Sequence, residues 1–202
     1  MDAYAKFAEL AENEKCGMDY RVRSRIKRGL WAVVAPHGGG IEPGTSEVAE
    51  VIAANDFTFY AFEGRKRRCN CRLHIIGTRF DEPKALSIVF ASEKAIKIHG
   101  EGIRKAMVFL GGRDVAALER LRASLGHRGF RVRSHPNPRL HGADQTNICN
   151  RCRSSAGVQV ELSSGLRRSC FRSLSLHGRR SRTQRFAELV AAIREALHEG
   201  AV

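Results

Sequence analysis

The segment Leu30-Trp-Ala-Val-Val-Ala-Pro-His-Gly-Gly-Gly-Ile-Glu42 determines how the rest of this sequence is interpreted. Its apolar part, residues 30–35, predicts a buried strand that ends at Pro36 and the three glycines. His37 follows the strand, and Glu42 comes five residues later, after flexible backbone has turned the chain back. An imidazole and a carboxylate held together at the C-terminal end of a strand are a ready pair of metal ligands. Open α/β sheets keep their sites at such strand ends.

Strands and helices are predicted to alternate along the 202 residues, which is the pattern of one α/β domain with a mostly parallel sheet. The predicted strands span residues 20–27, 30–35, 57–62, 71–76, 95–100, 106–110, 130–132 and 157–162. The predicted helices span residues 3–14, 47–54 (capped by Thr45 or Ser46), 84–93 (with Pro83 in its first turn), 114–125 and 182–198. Residues 134–155 show no clear element and predict a long loop that is functional or disordered.

Composition indicates a globular protein with a basic surface. Hydrophobic residues make up 43% of the chain, and the formal net charge is +14. A charge of this size points to a polyanionic partner: nucleic acid, an anionic membrane or an acidic polymer. A solvated basic surface without a specific partner is the alternative. The sequence has no clear helix-turn-helix, RNP signature or zinc-finger spacing, so nucleic acid stays a rival without a recognition motif.

The N-terminal residues and the cysteines predict a reducing, cytoplasmic setting. Four acidic residues within positions 1–14 do not fit a secretory signal, and no apolar run is long enough to span a bilayer. A phage-encoded protein could still leave a cell by lysis. The six cysteines are therefore expected to be reduced and at least partly buried. Alternatively, Cys69 and Cys71 could join Cys149 and Cys152 in a four-thiolate zinc site, although their spacings match no recognisable knuckle or ribbon.

Three side chains at strand ends suit zinc: His37, Glu42 and His99. Two histidines and one carboxylate leave a fourth position open to water, which is how a hydrolytic zinc site is built. Glu161 lies in the apolar context of the last strand, where a carboxylate is expensive to bury without a partner or a task, and it suits the role of general base. The alternatives are a structural histidine at position 99 and an ion-pair partner at position 161.

Other polar residues allow more than one interpretation. His37 with its three glycines resembles the oxyanion loop of esterases, but the chain has no Gly-x-Ser-x-Gly segment, which excludes that class. Asp114 and Arg113 could form a second acid–cation pair in the site, although a helix cap at Asp114 is the favoured interpretation. His74 could line the pocket or lie in the core. Four further histidines have no motif around them and are expected at the surface: His135, His141, His177 and His198.

Six segments in order resemble the poly-γ-glutamate hydrolase family of bacteriophages and bacteria, some members of which are labelled phage-related replication proteins. The segments span residues 36–47, 73–83, 98–100, 109–114, 147–151 and 157–163. The resemblance covers residues 18–197, nearly the whole of a single domain over 1–202. It departs from the family pattern at Glu101, where a cysteine or another small residue is often found, and in the strongly basic stretch 167–185.

The resemblance implies a three-layer α/β/α domain that is zinc-carboxypeptidase-like, with a mixed, mostly parallel central sheet. It implies a zinc-dependent hydrolase of γ-glutamyl amide bonds with His37, Glu42 and His99 as zinc ligands and Glu161 as general base; cobalt or manganese could also occupy such a site. The resemblance also implies Arg151 and Arg167 for catalysis and Asn150 for substrate contact. Arg113 and His74 are two further candidates for substrate contact, although the resemblance does not supply them. An acidic γ-glutamyl polymer or peptide is the expected substrate, and a monomer is expected. The alternatives are a zinc amidohydrolase of a small acidic N-acyl or γ-glutamyl compound and a basic nucleic-acid-binding protein.

Overall fold

A seven-stranded mixed sheet forms the centre of the computed structural model, which describes residues 2–199. The strands are β1 (Tyr20–Arg25), β2 (Trp31–Gly39), β3 (Thr58–Gly64), β4 (Lys94–Glu101), β5 (Val108–Gly112), β6 (Val132–Arg133) and β7 (Val158–Ser163). They lie in the order β1-β3-β2-β4-β7-β5-β6. Only the β1–β3 and β5–β7 pairs are antiparallel. The predicted mixed, mostly parallel sheet is confirmed.

Helices cover both faces of the sheet and make the three layers. They are α1 (Phe7–Asn13), α2 (Thr45–Ala53), α3 (Pro83–Ala91), α4 (Val115–His127), α5 (Ser164–Cys170) and α6 (Gln184–His198). The apolar core on the first face joins the sheet to α2, α4, α5 and α6. The core on the second face joins it to α1, α3 and segments without regular structure. The predicted α/β/α arrangement is therefore confirmed. Within residues 2–199 no helix has the length and apolarity needed to cross a bilayer.

The two central strands β4 and β7 have one apolar face and one polar face. Ile96 and Ile98 of β4 belong to the first core, as do Val158, Val160 and Leu162 of β7. Because side chains alternate along a strand, the residues between them point to the second face. The parallel register pairs them as Lys97 with Gln159, His99 with Glu161 and Glu101 with Ser163. We call these six residues the polar ladder.

Two predicted strands differ from the structure. Strand β2 does not end at Pro36 but continues to Gly39, and its pairing with β3 shifts register between Ala35 and Gly38. Proline has no N–H to donate, and such a residue is tolerated at a bulge. The predicted strand 71–76 is instead a 3-10 turn, Asn70–Leu73, followed by irregular chain. Its alternating apolar residues Leu73 and Ile75 pack into the second core as a cover over the sheet rather than as a paired strand.

Helix starts also show corrections. Neither Thr45 nor Ser46 caps α2, because its N-cap is Gly44 in the left-handed region with φ 102° and no side-chain cap bond. Asp114 does cap α4, since its carboxylate accepts a hydrogen bond from the N–H of Ala117 at 3.0 Å. This confirms the favoured interpretation of Asp114. Part of the basic stretch 167–185 lies in α5, a helix that the sequence pattern did not predict.

Candidate metal and catalytic site

Parallel pairing brings the C-terminal ends of β2 and β4 side by side, with His37 on one strand and His99 on the other. The turn after His37 is closed by the N–H of Glu42, which donates to the His37 carbonyl at 2.8 Å. The Glu42 side chain then crosses to β4, where its Oε2 accepts from the N–H of Gly100 at 2.7 Å. This bond holds the carboxylate between the two histidines.

The Oε1 atom of Glu42 lies at the spacing expected for a shared metal ion. It is 3.5 Å from Nδ1 of His37 and 3.3 Å from Nδ1 of His99. Two ligands bound to zinc at about 2.0–2.1 Å in tetrahedral geometry are roughly 3.3–3.4 Å apart. The structure therefore brings together the three predicted ligands His37, Glu42 and His99.

Hydrogen bonds determine which imidazole nitrogens are bare. Nε2 of His37 lies 2.7 Å from the carbonyl oxygen of Ile75, so this nitrogen carries the proton and Nδ1 is an acceptor. Nδ1 lies 2.7 Å from Nε2 of His99, which must then be the donor. His99 is left with a bare Nδ1, which is buried without a hydrogen-bond partner and faces the Glu42 carboxylate. Facing lone pairs of this kind are satisfied by a cation, so the donor set fits a metal ion.

Burial keeps protons off the two imidazoles. It lowers the pKa of His37 to about 3 and that of His99 well below its ordinary value. Burial also raises the pKa of Glu42 to about 7, although the hydrogen bond from the N–H of Gly100 opposes this rise. Neutral histidines are the form that binds metal, and a bound cation would relieve the desolvation of the Glu42 carboxylate.

His74 is a fourth member of this group of ligating side chains. Its Nδ1 lies 2.8 Å from Oδ1 of Asp2, which leaves Nε2 bare and 3.9 Å from Oε1 of Glu42. Its ring lies against His37 with centroids 4.0 Å apart. A carboxylate behind an imidazole is the usual way in which proteins orient a metal-binding or proton-transferring histidine.

Glu161 lies next to His99 on β7 and is only 2% exposed. Its Oε1 accepts a hydrogen bond from Nε2 of Gln159 at 2.5 Å. Burial raises the pKa of Glu161 to about 7, and the positive charge of Lys97 opposes this rise. Glu161 is thus a carboxylate with a pKa near neutrality on the strand next to a candidate metal ligand. Such a group is suited to accept and return a proton.

The sequence profile of the poly-gamma-glutamate hydrolase family matches residues 4–192. This chain belongs to the poly-gamma-glutamate hydrolase family. The UPF0714 protein YndL of Bacillus subtilis strain 168 is 37% identical over 192 residues, which cover 93% of this chain and 74% of YndL. The SPbeta prophage-derived UPF0714 protein YoqZ of the same strain is 33% identical over 200 residues, covering 98% of this chain and 72% of YoqZ.

Solved structures agree with the family. A bacteriophage poly-gamma-glutamate hydrolase superimposes with a TM-score of 0.95 at 30% identity, covering 99% of this chain and 98% of that one. A zinc-free apo structure of YndL superimposes with a TM-score of 0.94 at 35% identity and covers 100% of both chains. The predicted family and the prediction of a hydrolase are confirmed, and the candidate metal centre is consistent with a metal-dependent one.

Arg167, for which the family resemblance implies a catalytic role, is buried against the strand ends that carry the ligands. Its Nε donates to the carbonyl of Leu162 at 3.0 Å, and its terminal nitrogens donate to the carbonyls of Pro43 (2.8 Å) and Glu101 (3.2 Å). Its Cζ lies 2.9 Å from where a Cβ on Gly100 would stand, so a side chain at position 100 would displace the guanidinium. Three of its five N–H groups are engaged, and two remain for a ligand.

Two further implied residues, Arg151 for catalysis and Asn150 for substrate contact, lie at the end of the segment 142–151. Arg151 donates from Nε to Thr146 O at 2.7 Å and from a terminal nitrogen to Thr78 O at 2.9 Å, which leaves part of its guanidinium free. Asn150 is buried, and both its amide N–H groups are taken by the carbonyls of Gly142 and Asp144, each at 2.7 Å. A substrate contact by Asn150 would require one of these bonds to break.

Arg113 lies at the surface and donates to Ala143 O at 3.3 Å. Its suggested role in substrate contact stays a prediction, as do the implied roles of Asn150, Arg151 and Arg167. The four-thiolate alternative is not supported: within residues 2–199 neither group of potential metal ligands includes a cysteine, and all six cysteines are free. Cys69 and Cys71 are exposed, whereas Cys149 and Cys152 are buried.

Two residues near the site were missed by the sequence interpretation. Lys97 is 2% exposed, and its charge acts on His37, His99, Glu42 and Glu161 together. A lysine between Ile96 and Ile98 in a buried strand could have drawn attention to it. His135 was expected at the surface, which is wrong because it is 8% exposed and faces Glu101 and Glu161. No spacing rule places a loop histidine there. His177 and His198 are exposed, as predicted, and His141 is half-buried.

Proposed function

We propose that this chain is a zinc-dependent hydrolase that cleaves the γ-glutamyl amide bonds of poly-γ-glutamate. The observation that carries the proposal is the donor set of His37, Glu42 and His99, in which two unprotonated Nδ1 atoms lie 3.3–3.5 Å from one carboxylate oxygen and that of His99 has no hydrogen-bond partner. Membership of the family supports the choice of substrate.

His37, Glu42 and His99 would hold the zinc ion, and His74 stands within reach of the same position. When bound, zinc supplies Lewis acidity toward water and the scissile carbonyl. The carboxylate of Glu161 accepts a proton from the attacking water and transfers it to the leaving nitrogen. Water adds to the carbonyl carbon, the carbon–nitrogen bond breaks, and a γ-carboxylate and a free amine are released.

The guanidinium groups of Arg167 and Arg151 serve charge stabilisation in this proposal. Each has N–H groups left over after its bonds to backbone carbonyls. A guanidinium donates to carboxylates in a forked geometry, and poly-γ-glutamate exposes an α-carboxylate at every unit. The formal charge of +14 attracts such a polymer over a longer range.

A small acidic N-acyl or γ-glutamyl compound is the second candidate substrate. The observation in its favour is Glu101, whose carboxylate lies within 4.8 Å of that of Glu161 and repels a chain of many carboxylates more than a compound with one or two. A basic protein that binds nucleic acid is the third possibility, supported by charge alone.

The test compares zinc-loaded wild-type protein with Glu161→Gln on poly-γ-glutamate, on N-acylglutamates and in a DNA-binding assay. The proposal expects release of free amines from the polymer by wild type, a loss of at least about a hundredfold in the variant and equal zinc in both. Cleavage of the small amides alone would move the assignment to the second candidate. Salt-sensitive DNA binding without hydrolysis of any amide would favour the third.

A further inference from the structure

A second group of polar side chains, Glu101, His135 and Glu161, converges beside the candidate metal centre. One carboxylate oxygen of each glutamate and one ring nitrogen of His135 all lie within 4.8 Å of one another. The two glutamates belong to the polar ladder, and His135 comes from the loop that follows β6. The proposed reaction uses Glu161 but assigns nothing to His135.

The composition of this group resembles a metal site, but its hydrogen bonds argue against one. The backbone N–H of Asn137 donates to Nδ1 of His135 at 3.0 Å, so Nδ1 is an acceptor. In the uncharged ring the proton is then on Nε2, the nitrogen that faces the carboxylates. A nitrogen that carries a proton cannot bind a metal ion. Nε2 of His135 is therefore a donor.

The ring of His135 is held firmly in this orientation. Its edge packs on Phe109, the β5 neighbour of Glu161, with ring centroids 4.9 Å apart and an interplanar angle of 62°. The backbone carbonyl of His135 lies 2.7 Å from Nε2 of His141, which fixes the loop at the same point. These contacts do not depend on any ligand.

The Nε2–H group is buried and lacks a hydrogen bond in the described part of the chain. Oε2 of Glu101 lies 3.3 Å away but outside hydrogen-bonding geometry. The donor thus lies beside the carboxylates of Glu101 and Glu161 without being bonded to either. A buried donor without an acceptor is unfavourable, and such groups in native proteins call for a ligand or a task.

We propose that His135 donates its Nε2–H to a carbonyl oxygen of the bound substrate on the Glu161 side of the site. The inference rests on the proposed function and adds a substrate-binding residue to it. Glu101 and Glu161 make this space electrically negative, so an uncharged amide oxygen is a better acceptor here than a carboxylate. Every γ-linked glutamyl unit carries such an amide oxygen in addition to its α-carboxylate.

Kinetics of the zinc-loaded enzyme on short γ-glutamyl oligomers test the role. His135→Phe keeps an aromatic ring on Phe109 but removes the donor, and His135→Gln restores an amide N–H. We expect His135→Phe to raise KM roughly tenfold with kcat and zinc content unchanged, since one hydrogen bond to the bound substrate is lost. His135→Gln should recover part of this loss. His177→Phe, at an exposed histidine, is the matched control and should match wild type. An unchanged KM in His135→Phe would overturn the inference.

A binding measurement keeps this inference separate from the proposed reaction. Calorimetry would compare binding of a γ-glutamyl tripeptide to zinc-loaded Glu161→Gln and to the double variant Glu161→Gln/His135→Phe. Binding weakened about tenfold in the double variant supports a donor role even if wild type proves unable to cleave the polymer. Equal affinities, or no binding to either protein, would contradict it. Nitrogen-15 NMR of the histidine side chains adds a direct check, because a proton on Nδ1 rather than Nε2 of His135 would also overturn the inference.

Discussion

The two faces of strands β4 and β7 bury side chains of opposite character. On one face Ile96, Ile98 and Val160 are fully buried in the larger core between the sheet and helices α2, α4 and α6. On the other, the same strands carry the polar ladder, in which Lys97 and Glu161 are almost as deeply buried. Burying charge is unfavourable, whereas burying aliphatic side chains drives folding. Successive residues of one strand therefore alternate between packing in the apolar core and forming the polar face that carries the candidate site.

The largest expected effect comes from the polar face. His99→Ala removes one of the three proposed ligands, so we expect hydrolysis of poly-γ-glutamate to fall by at least about a hundredfold and bound zinc to drop below one per chain. The apolar core to which the adjacent Ile98 belongs is left intact, so the free energy of unfolding of the metal-free protein should change less than after truncation of Ile98. Equal zinc and activity in the variant would remove His99 from the site.

The adjacent residue should show the opposite behaviour. Ile98→Ala opens a cavity in the first core and is expected to lower the free energy of unfolding by about 2–5 kcal/mol, measured by urea denaturation. Zinc content and kcat should stay near wild type at temperatures where the variant is folded. A variant that keeps its stability but loses its zinc would show that the two faces are not independent.

Glu161 offers a pH-dependent test on the metal-free protein. Burial raises its pKa to about 7, above the unfolded value near 4.5, so the folded state binds this proton more tightly and loses stability as the pH rises from 4.5 through 7. Glu161→Gln should therefore stabilise the metal-free protein at pH 8, by at most about 3 kcal/mol, and have little effect at pH 5. A gain of the same size at both pH values would contradict the burial effect.

The effect of salt should be smaller. The net charge of +14 attracts a polyanion through long-range electrostatics, which salt screens. We expect kcat/KM for long poly-γ-glutamate to fall several-fold between about 0.05 and 0.3 M NaCl, because the Debye length shortens over this range. The value of kcat/KM for a γ-glutamyl dipeptide should change less. Equal salt dependence for both substrates would argue against long-range attraction of the polymer.

The smallest effect is expected at the exposed cysteines. Cys69→Ser and Cys71→Ser together should leave zinc content, unfolding free energy and activity within error of wild type, since neither thiol lies in a group of potential ligands among residues 2–199. Loss of zinc in this double variant would revive the four-thiolate alternative. The proposed site, including His37, is unchanged in this double variant, so zinc that the variant retains is attributed to that site.

Much of the fold could be predicted because it follows from periodicity along single strands, and the candidate ligands His37, Glu42 and His99 because they lie at or just after strand ends. The apolar runs mark β2, β4 and β7, and parallel strands place their ends together. Residues 71–76 were misassigned because Leu73 and Ile75 alternate like a strand while covering the sheet from outside. Alternation of apolar and polar residues indicates that one face of a segment is buried. It does not by itself show that the segment pairs with another strand.

Residues that reach the site from distant segments could not be predicted. The bond between His74 and Asp2 joins positions 72 apart in the chain, and His135 arrives from a loop without regular structure. Their roles depend on where loops cross the sheet, and no periodic pattern in the local sequence predicts those positions. Lys97 could have been suspected, because a lysine in an apolar strand has to face something polar.

The central claim is that His37, Glu42 and His99 form one metal site on the polar face. Its most direct test is to dialyse purified wild type and Glu42→Gln against zinc and to measure how much zinc each protein binds. Glu42→Gln keeps the shape of the side chain and removes its charge. We predict about one tightly bound zinc per chain in wild type and a dissociation constant raised by at least roughly a hundredfold in the variant. Equal zinc binding by the two proteins, or none by wild type, would contradict the account.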